Sequence, residues 1–291
     1  MRSEKKMMDL ILNVAERDER IRAVYMNGSR TNPTLVEDLF QDYDIVYVVT
    51  ETTSFLEDEH WVDVFGDRLM MQEPDKNDQG AGGDIADFYG YLMLFTDGNR
   101  IDLHIETLPH MQEHYGEDKL TVPLLDKDDC LPEIPDATDE DYHVQKPTEQ
   151  EYLARCNNFW WCQQNIAKSL WRDEVPYAQF MLECIIRRDL DQMVSWWIGT
   201  QNGFQVSTGK VGNYFKKLLS EEYWTMYEAT YADEDAEHIW DALFAAGDLF
   251  RTLAHRVADE FSYTYRREED ENMTRYLKQV RRLPSSADRI F

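Results

Sequence analysis

The hydrophobic pattern of this chain changes period about halfway along, and that change constrains the fold more than any other feature. Up to about residue 105, apart from two helical stretches, the apolar residues fall in short runs rich in β-branched and aromatic side chains. Beyond residue 148 they recur at helical spacing. A strand pattern will not sit as a helix, nor the reverse, so the two stretches predict different architectures. We expect an α+β protein: an N-terminal domain, residues 1–140, with a mixed sheet, and a C-terminal all-α helical bundle, residues 141–291.

In the first half, Ser3 is placed to cap a helix whose apolar side carries Met7, Leu10, Ile11, Val14 and Ala15. Residues 21–26 read as a strand ending at Asn27-Gly28-Ser29, and 44–49 as a buried strand. Residues 55–65 read as a helix. Residues 89–95 and 100–105 flank Asp97-Gly98, a hairpin signal because glycine tolerates positive φ. Residues 79–83, with three glycines, read as a flexible loop.

Residues 113–151 hold thirteen acids against three lysines, with Pro123, Pro132, Pro135 and Pro147. This stretch reads as a solvated connection between the halves. In the second half, Thr148 and Glu151 have capping-box form, and Pro176 suits the first turn of a helix running to Ile198. Leu182, Ile185, Ile186, Met193, Val194 and Trp197 form its apolar stripe. Ser220 and Asp233 are placed to cap later helices.

Charge excludes several functions. With 30 basic and 57 acidic residues the formal net charge is −27, and no basic block interrupts it. Such a chain is poorly suited to a nucleic-acid backbone or an anionic membrane, and favours a cationic partner. At 43% hydrophobic residues it can still bury a substantial core. No run approaches a membrane span or a signal peptide, and Cys130, Cys156, Cys162 and Cys184 follow no metal or redox spacing, so a cytoplasmic protein is expected. The seven histidines show no ligand spacing, and no zinc site is expected. His104 is expected to point to the strand face opposite Asp102. Trp160, Trp161, Trp196 and Trp197 read mainly as core, with one available to line a cleft against a cation.

Three carboxylates carry the chemistry. Asp42 and Asp44 are two apart at the start of a strand, so their side chains share a face. Two such charges ~5 Å apart repel by about 3 kcal/mol at an effective dielectric near 20. A divalent cation removes that repulsion, and Mg²⁺ is commonly held by one or two carboxylates plus phosphate oxygens. Asp102, flanked by Ile101 and Leu103, needs a partner or a metal on its own strand. The order apolar-Gly28-Ser29, then Asp42-Tyr43-Asp44, then Ile101-Asp102-Leu103, resembles the nucleotidyltransferase superfamily, whose members resemble the catalytic domain of DNA polymerase β.

The resemblance narrows with further segments. Asn27-Gly28-Ser29-Arg30-Thr31-Asn32, Phe40-Gln41-Asp42-Tyr43-Asp44-Ile45, Phe95-Thr96-Asp97-Gly98-Asn99-Arg100-Ile101-Asp102-Leu103, Leu124-Leu125-Asp126-Lys127-Asp128, Cys156-Asn157-Asn158-Phe159-Trp160-Trp161 and Ser207-Thr208-Gly209-Lys210 look like the aminoglycoside 6-adenylyltransferase family. The similarity runs from the first helix to about Phe261. It implies transfer of AMP from ATP to a hydroxyl of an aminoglycoside, with streptomycin and its 6-position favoured, release of pyrophosphate, and antibiotic resistance. Adenylylation of another small hydroxylated molecule, or a silent nucleotide-binding relative, are the alternatives.

The resemblance further implies that Gly28, Ser29 and Arg30 bind the ATP phosphates, with Lys210 reaching them from the second domain. Asp42, Asp44 and Asp102 would hold Mg²⁺ and serve catalysis. Asp102 is either a metal ligand or the acceptor of the hydroxyl proton. A monomer or homodimer is implied, acting on ATP and a cationic aminoglycoside, without nucleic acid or membrane. One departure stands out: relatives carry an acid in the helix after Pro176, whereas this chain has Tyr177-Ala178-Gln179-Phe180-Met181 there. Glu174, Glu183 or Asp189 are the candidates to replace it, or Asp102 suffices alone.

Overall fold

The structure, a computed structural model, describes residues 1–36, 38–77 and 86–291. The chain forms two compact units, Met1–Asp141 and Tyr142–Phe291. The three-glycine loop expected at 79–83 lies outside the described residues.

The first unit contains helix α1 (Glu4–Arg17), strands β1 (Ile21–Asn27) and β2 (Tyr43–Val49), and the short helix α2 (Thr53–Glu57). Strand β3 (Arg68–Gln72), the turn-length helix α3 (Pro74–Asn77), and strands β4 (Phe88–Phe95) and β5 (Arg100–Thr107) follow. Helix α4 (Leu108–His114) and strand β6 (Thr121–Asp126) complete it. The six strands form one sheet in the order β3-β4-β5-β2-β1-β6. The sheet is mixed: β2 and β5 run parallel, and the other neighbours are antiparallel. Ser3 accepts from the Lys6 N–H and starts α1 as expected, and Asp97-Gly98 joins β4 to β5, with Gly98 at φ 85°.

Two expectations need correction. Residues 55–65 do not make one helix: α2 stops at Glu57, and a separate 3₁₀ turn runs Trp61–Phe65. The cause is local, since Asp58 leaves the helical region (φ −103°, ψ 85°) and its carboxylate takes the His60 N–H. The acidic connection is also not all linker. It contains the end of α4 and all of β6, which pairs antiparallel with β1 from Ala23↔Asp126 to Asn27↔Thr121. Pro123 masked this strand, but prolines are tolerated where a sheet ends, and β6 is the edge.

The two faces of the sheet are covered unequally. Tyr43, Ile45, Tyr47 and Val49 of β2 point to the face packed by α1, where Met7, Ile11 and Ala15 are fully buried. Val46 and Val48 point the other way, into a small cluster with Ala23, Tyr25 and Met111 of α4. Alternation puts Asp44 on this thinly covered face. A large core therefore anchors the sheet from one side, and polar groups are tolerated at the strand starts on the other.

The second unit is helical: α5 (Glu149–Trp171), α6 (Val175–Phe180), α7 (Arg187–Gln201), α8 (Phe215–Leu218), α9 (Glu221–Glu228), α10 (Ala236–Phe261) and α11 (Arg267–Arg281). The Thr148–Glu151 capping box is formed at α5, and Ser220 caps α9. Asp233 is not a cap; Asp235 fills that place for α10, while Asp233 bonds the His238 ring. The expected helix after Pro176 is interrupted by a π-helical stretch, Met181–Ile186, between α6 and α7. The core stripes of α5 and α10 meet at Phe159 and Phe250, whose rings stack 3.7 Å apart. Trp160 and Trp196 are buried, whereas Trp161 is 63% exposed. The four cysteines are free thiols. Among the described residues, no helix is long and apolar enough to cross a membrane.

Candidate active site

The parallel pairing of β2 with β5 assembles the site. Its register places Asp44 directly beside Asp102, and adjacent strands lie about 4.8 Å apart, so two carboxylates from distant sequence become neighbours on one face. On the other side of Asp44, β1 places Asn27, and the chain turns immediately at Gly28. Gly28 has φ 78°, and a Cβ there would sit 2.2 Å from Asp44 Oδ2. Glycine is required twice over, by backbone sign and by the carboxylate pressed against it. The Gly-Ser turn and the Asp-x-Asp strand are thus in direct contact.

Arg100 sits among the acids. It grips Asp102 through two parallel bonds, Nε to Oδ1 at 2.7 Å and Nη2 to Oδ2 at 2.6 Å, and its Nη1 lies 3.3 Å from Asp42 Oδ2. One guanidinium therefore serves more than one carboxylate. Burial, followed by the charges of Asp102 and Asp42, pushes the Asp44 carboxyl up to about 6. Burial also raises Asp42, with Arg100 pulling it back. The hydrogen bond to Asp102 in turn raises Arg100. The site is a crowd of negative charge incompletely compensated by its own cations.

Arg30 is placed differently from expectation. Its Nε and Nη2 donate to the carbonyls of Asp42 (3.0 Å) and Gln41 (2.8 Å), and its guanidinium lies 3.8 Å over the Tyr43 ring. It braces the segment that presents the two acids, and its charge lowers both carboxyls from there. The Gly28 N–H is already donated to the Leu120 carbonyl at 3.0 Å. The Ser29 hydroxyl has no hydrogen-bond partner among the described residues, and Ser29 opens a 3₁₀ turn, whose first N–H groups lack internal acceptors.

His104 does not oppose Asp102. Two residues apart on a strand, they share a face, and His104 stacks on Phe88 at 4.9 Å with burial holding its ring below the ordinary imidazole value. Lys210 lies in the second unit, exposed, in a 3₁₀ turn that begins after Gly209 (φ 74°).

Of the acids considered for the helical unit, Asp189 is buried and bound to Arg155 and Asn158, each at 2.6 Å. Glu183 pairs with Arg187, and Glu174 precedes α6 without capping it through its side chain. The sequence reading missed Asp191. Burial pushes its carboxyl up to about 6, and the Tyr227 hydroxyl donates to it at 2.8 Å. An acid one turn beyond the π-helical stretch, on a helix already scanned for replacements, was the available signal.

Among the described residues, no three His, Cys, Asp or Glu side chains converge closely enough to hold a metal ion as they stand. The donor set still suits one: Asp42, Asp44 and Asp102 are hard oxygen ligands whose mutual repulsion a dication relieves, and Arg100 now supplies the positive charge.

A glycine-serine turn against an Asp-x-Asp strand, with a third acid on the parallel neighbour, defines a nucleotidyltransferase. A family model for streptomycin adenylyltransferase matches residues 1–280, and the chain belongs to that family. It is 40% identical over 265 residues to an aminoglycoside 6-adenylyltransferase of Campylobacter jejuni, covering 91% of each chain. It is 36% identical over 281 residues to one of Bacillus subtilis (strain 168), covering 96% of this chain and 98% of the relative. The crystal structure of an aminoglycoside 6-adenyltransferase from Bacillus subtilis matches at 32% identity over 97% of this chain and 100% of that one, with a TM-score of 0.49.

Proposed function

We propose that this enzyme transfers AMP from ATP to a hydroxyl of an aminoglycoside and releases pyrophosphate, with streptomycin its acceptor and antibiotic resistance its consequence. The observation that carries the reading is the packing of Gly28 against Asp44, itself in register with Asp102. A phosphate-binding turn and an acidic cluster in contact are what in-line displacement at a nucleotide phosphate needs.

In this reading Ser29 donates its N–H and hydroxyl to the triphosphate. Asp42, Asp44 and Asp102 are the residues that would hold Mg²⁺, which when bound neutralises charge developing on the phosphate oxygens. Arg30 keeps Asp42 and Asp44 aimed by holding the backbone before them. Arg100 fixes the Asp102 carboxylate in the site, as a metal ligand or as the group that accepts the hydroxyl proton. Lys210 supplies charge to the triphosphate from the helical unit, which binds the acceptor. The acidic field favours a polycationic acceptor.

The test is pyrophosphate release from ATP and Mg²⁺ over a panel of aminoglycosides. Release with streptomycin, and a mass gain of one adenylyl group on the drug, is the expected result. No release with any member would remove the assignment, and release only with others would move the substrate.

A further inference from the structure

A second pocket lies wholly within the helical unit, independent of the acidic site. It has a volume of about 850 Å³ and is walled by α5, α10 and α11. That size is in the range of small-molecule sites.

Its floor contains an anomaly. Gln163 occupies a core position on the α5 stripe, beside Trp160 and Ile166, and is 0% exposed. Neither its amide nitrogen nor its amide oxygen has a hydrogen-bond partner. A buried donor and acceptor left unmade destabilise the fold, and a leucine would fill the stripe without that penalty. The other buried polar group of the pocket is fully matched: Asp270 takes Arg251 at 2.6 and 2.7 Å and the Tyr265 hydroxyl at 2.9 Å. The unpaired amide is therefore specific to Gln163.

The mouth has a charge unlike the rest of the chain. Arg267, Lys278 and Arg282 line it, are exposed, and have no ion pair among the described residues. The lining carries five Arg or Lys against three acids, in a protein of net charge −27. One of those acids, Glu271, is also unpaired. Burial holds His255, on the same wall, below the ordinary imidazole value.

We propose that this pocket binds a small organic anion. An edge offering one donor and one acceptor, as in an amide or an adenine ring, pairs with Gln163, and a phosphate or carboxylate meets Arg267, Lys278 and Arg282. The pairing completes both atoms of Gln163 at once, which neither an inorganic anion nor an uncharged amide of the same shape does together with the mouth.

The probes are AMP, adenosine and inorganic phosphate, titrated calorimetrically into the full chain without ATP, Mg²⁺ or drug. The comparison set is wild type, Gln163→Leu and Lys278→Glu; Lys278 is exposed, so its variant guards against a folding defect at Gln163. An AMP-binding component weakened at least tenfold in both variants is expected, with adenosine and phosphate each at least tenfold weaker than AMP on wild type. Adenylylation kcat/KM remains within twofold in both variants. Identical AMP isotherms in all three proteins, or phosphate binding as tightly as AMP, would overturn the proposal.

Discussion

The acids of the two units are buried to different ends. In the helical unit Asp270 is 4% exposed and Asp189 is 1% exposed, and each has an arginine in contact, Arg251 and Arg155. In the sheet unit Asp42, Asp44 and Asp102 crowd around Arg100, with Arg30 turned to the backbone behind them. Paired acids hold helices together. On the thinly covered face of the sheet three acids share one guanidinium, and Asp42 and Asp44, raised by burial and by neighbouring carboxylates, await a cation. Burial alone does not distinguish the two groups, since burial also raises Asp189, with Arg155 and Asn158 opposing it.

The contrast breaks first at Asp270. Asp270→Ala leaves Arg251, half-buried, without its bidentate partner, and removal of one member of a buried pair costs about 3–5 kcal/mol. Urea unfolding should show that loss, with turnover per folded molecule unchanged. A change below about 1 kcal/mol would erase the distinction between the groups.

Gly28→Ala acts at the other end. The new Cβ collides with Asp44 Oδ2, so the carboxylate must move. A misplacement of this kind costs roughly a hundredfold in rate. The expected result is a fall in kcat of that order, measured by pyrophosphate release, together with a modest loss of stability from the positive φ.

A smaller effect separates the groups by pH. In protein kept metal-free with chelator, Asp44 has a folded-state value of about 6, above the ordinary carboxyl value of 3.8. Ionising it therefore costs more in the fold than in the unfolded chain. The penalty is absent below about pH 4, grows through the window from 4 to 6, and is complete above it. Relative to Asp44→Asn, wild type should lose about 2–3 kcal/mol of unfolding free energy across that window. A flat difference would contradict the crowding of the three acids.

The smallest effect concerns the −27 charge. If the acidic field steers a cationic drug, kcat/KM for streptomycin falls severalfold as salt rises from about 50 to 500 mM, whereas kcat stays constant. A salt-independent kcat/KM confines the role of charge to solubility.

Much of this was legible in the sequence because it is local. The period change marked the two architectures, and Asp97-Gly98 and the Thr148–Glu151 box carry their geometry in two to four residues. Gly28-Ser29 and Asp42-Tyr43-Asp44 were recognisable as a turn and a strand start for the same reason. What was missed depends on partners far along the chain. Strand β6 has a proline and acidic neighbours, and only its ladder to β1 makes it a strand. Nothing near Arg30 in sequence shows the Gln41 and Asp42 carbonyls that it holds. His104 lies on the Asp102 face, as alternation requires of two strand residues two apart. The π-helical stretch at Met181–Ile186 has no sequence signature at this level, and Asp191 shows in the sequence only as one more acid on the helix that follows it.

The central claim is that the sheet-unit acids are kept for chemistry against the stability of the fold. Asp44→Asn tests it in one protein, by pyrophosphate release with streptomycin and urea unfolding without metal, both at pH 7.5. The account predicts at least a thousandfold loss of kcat/KM with an unfolding free energy equal to wild type or higher. Near-wild-type turnover, or lost turnover accompanied by destabilisation of several kcal/mol, would contradict it.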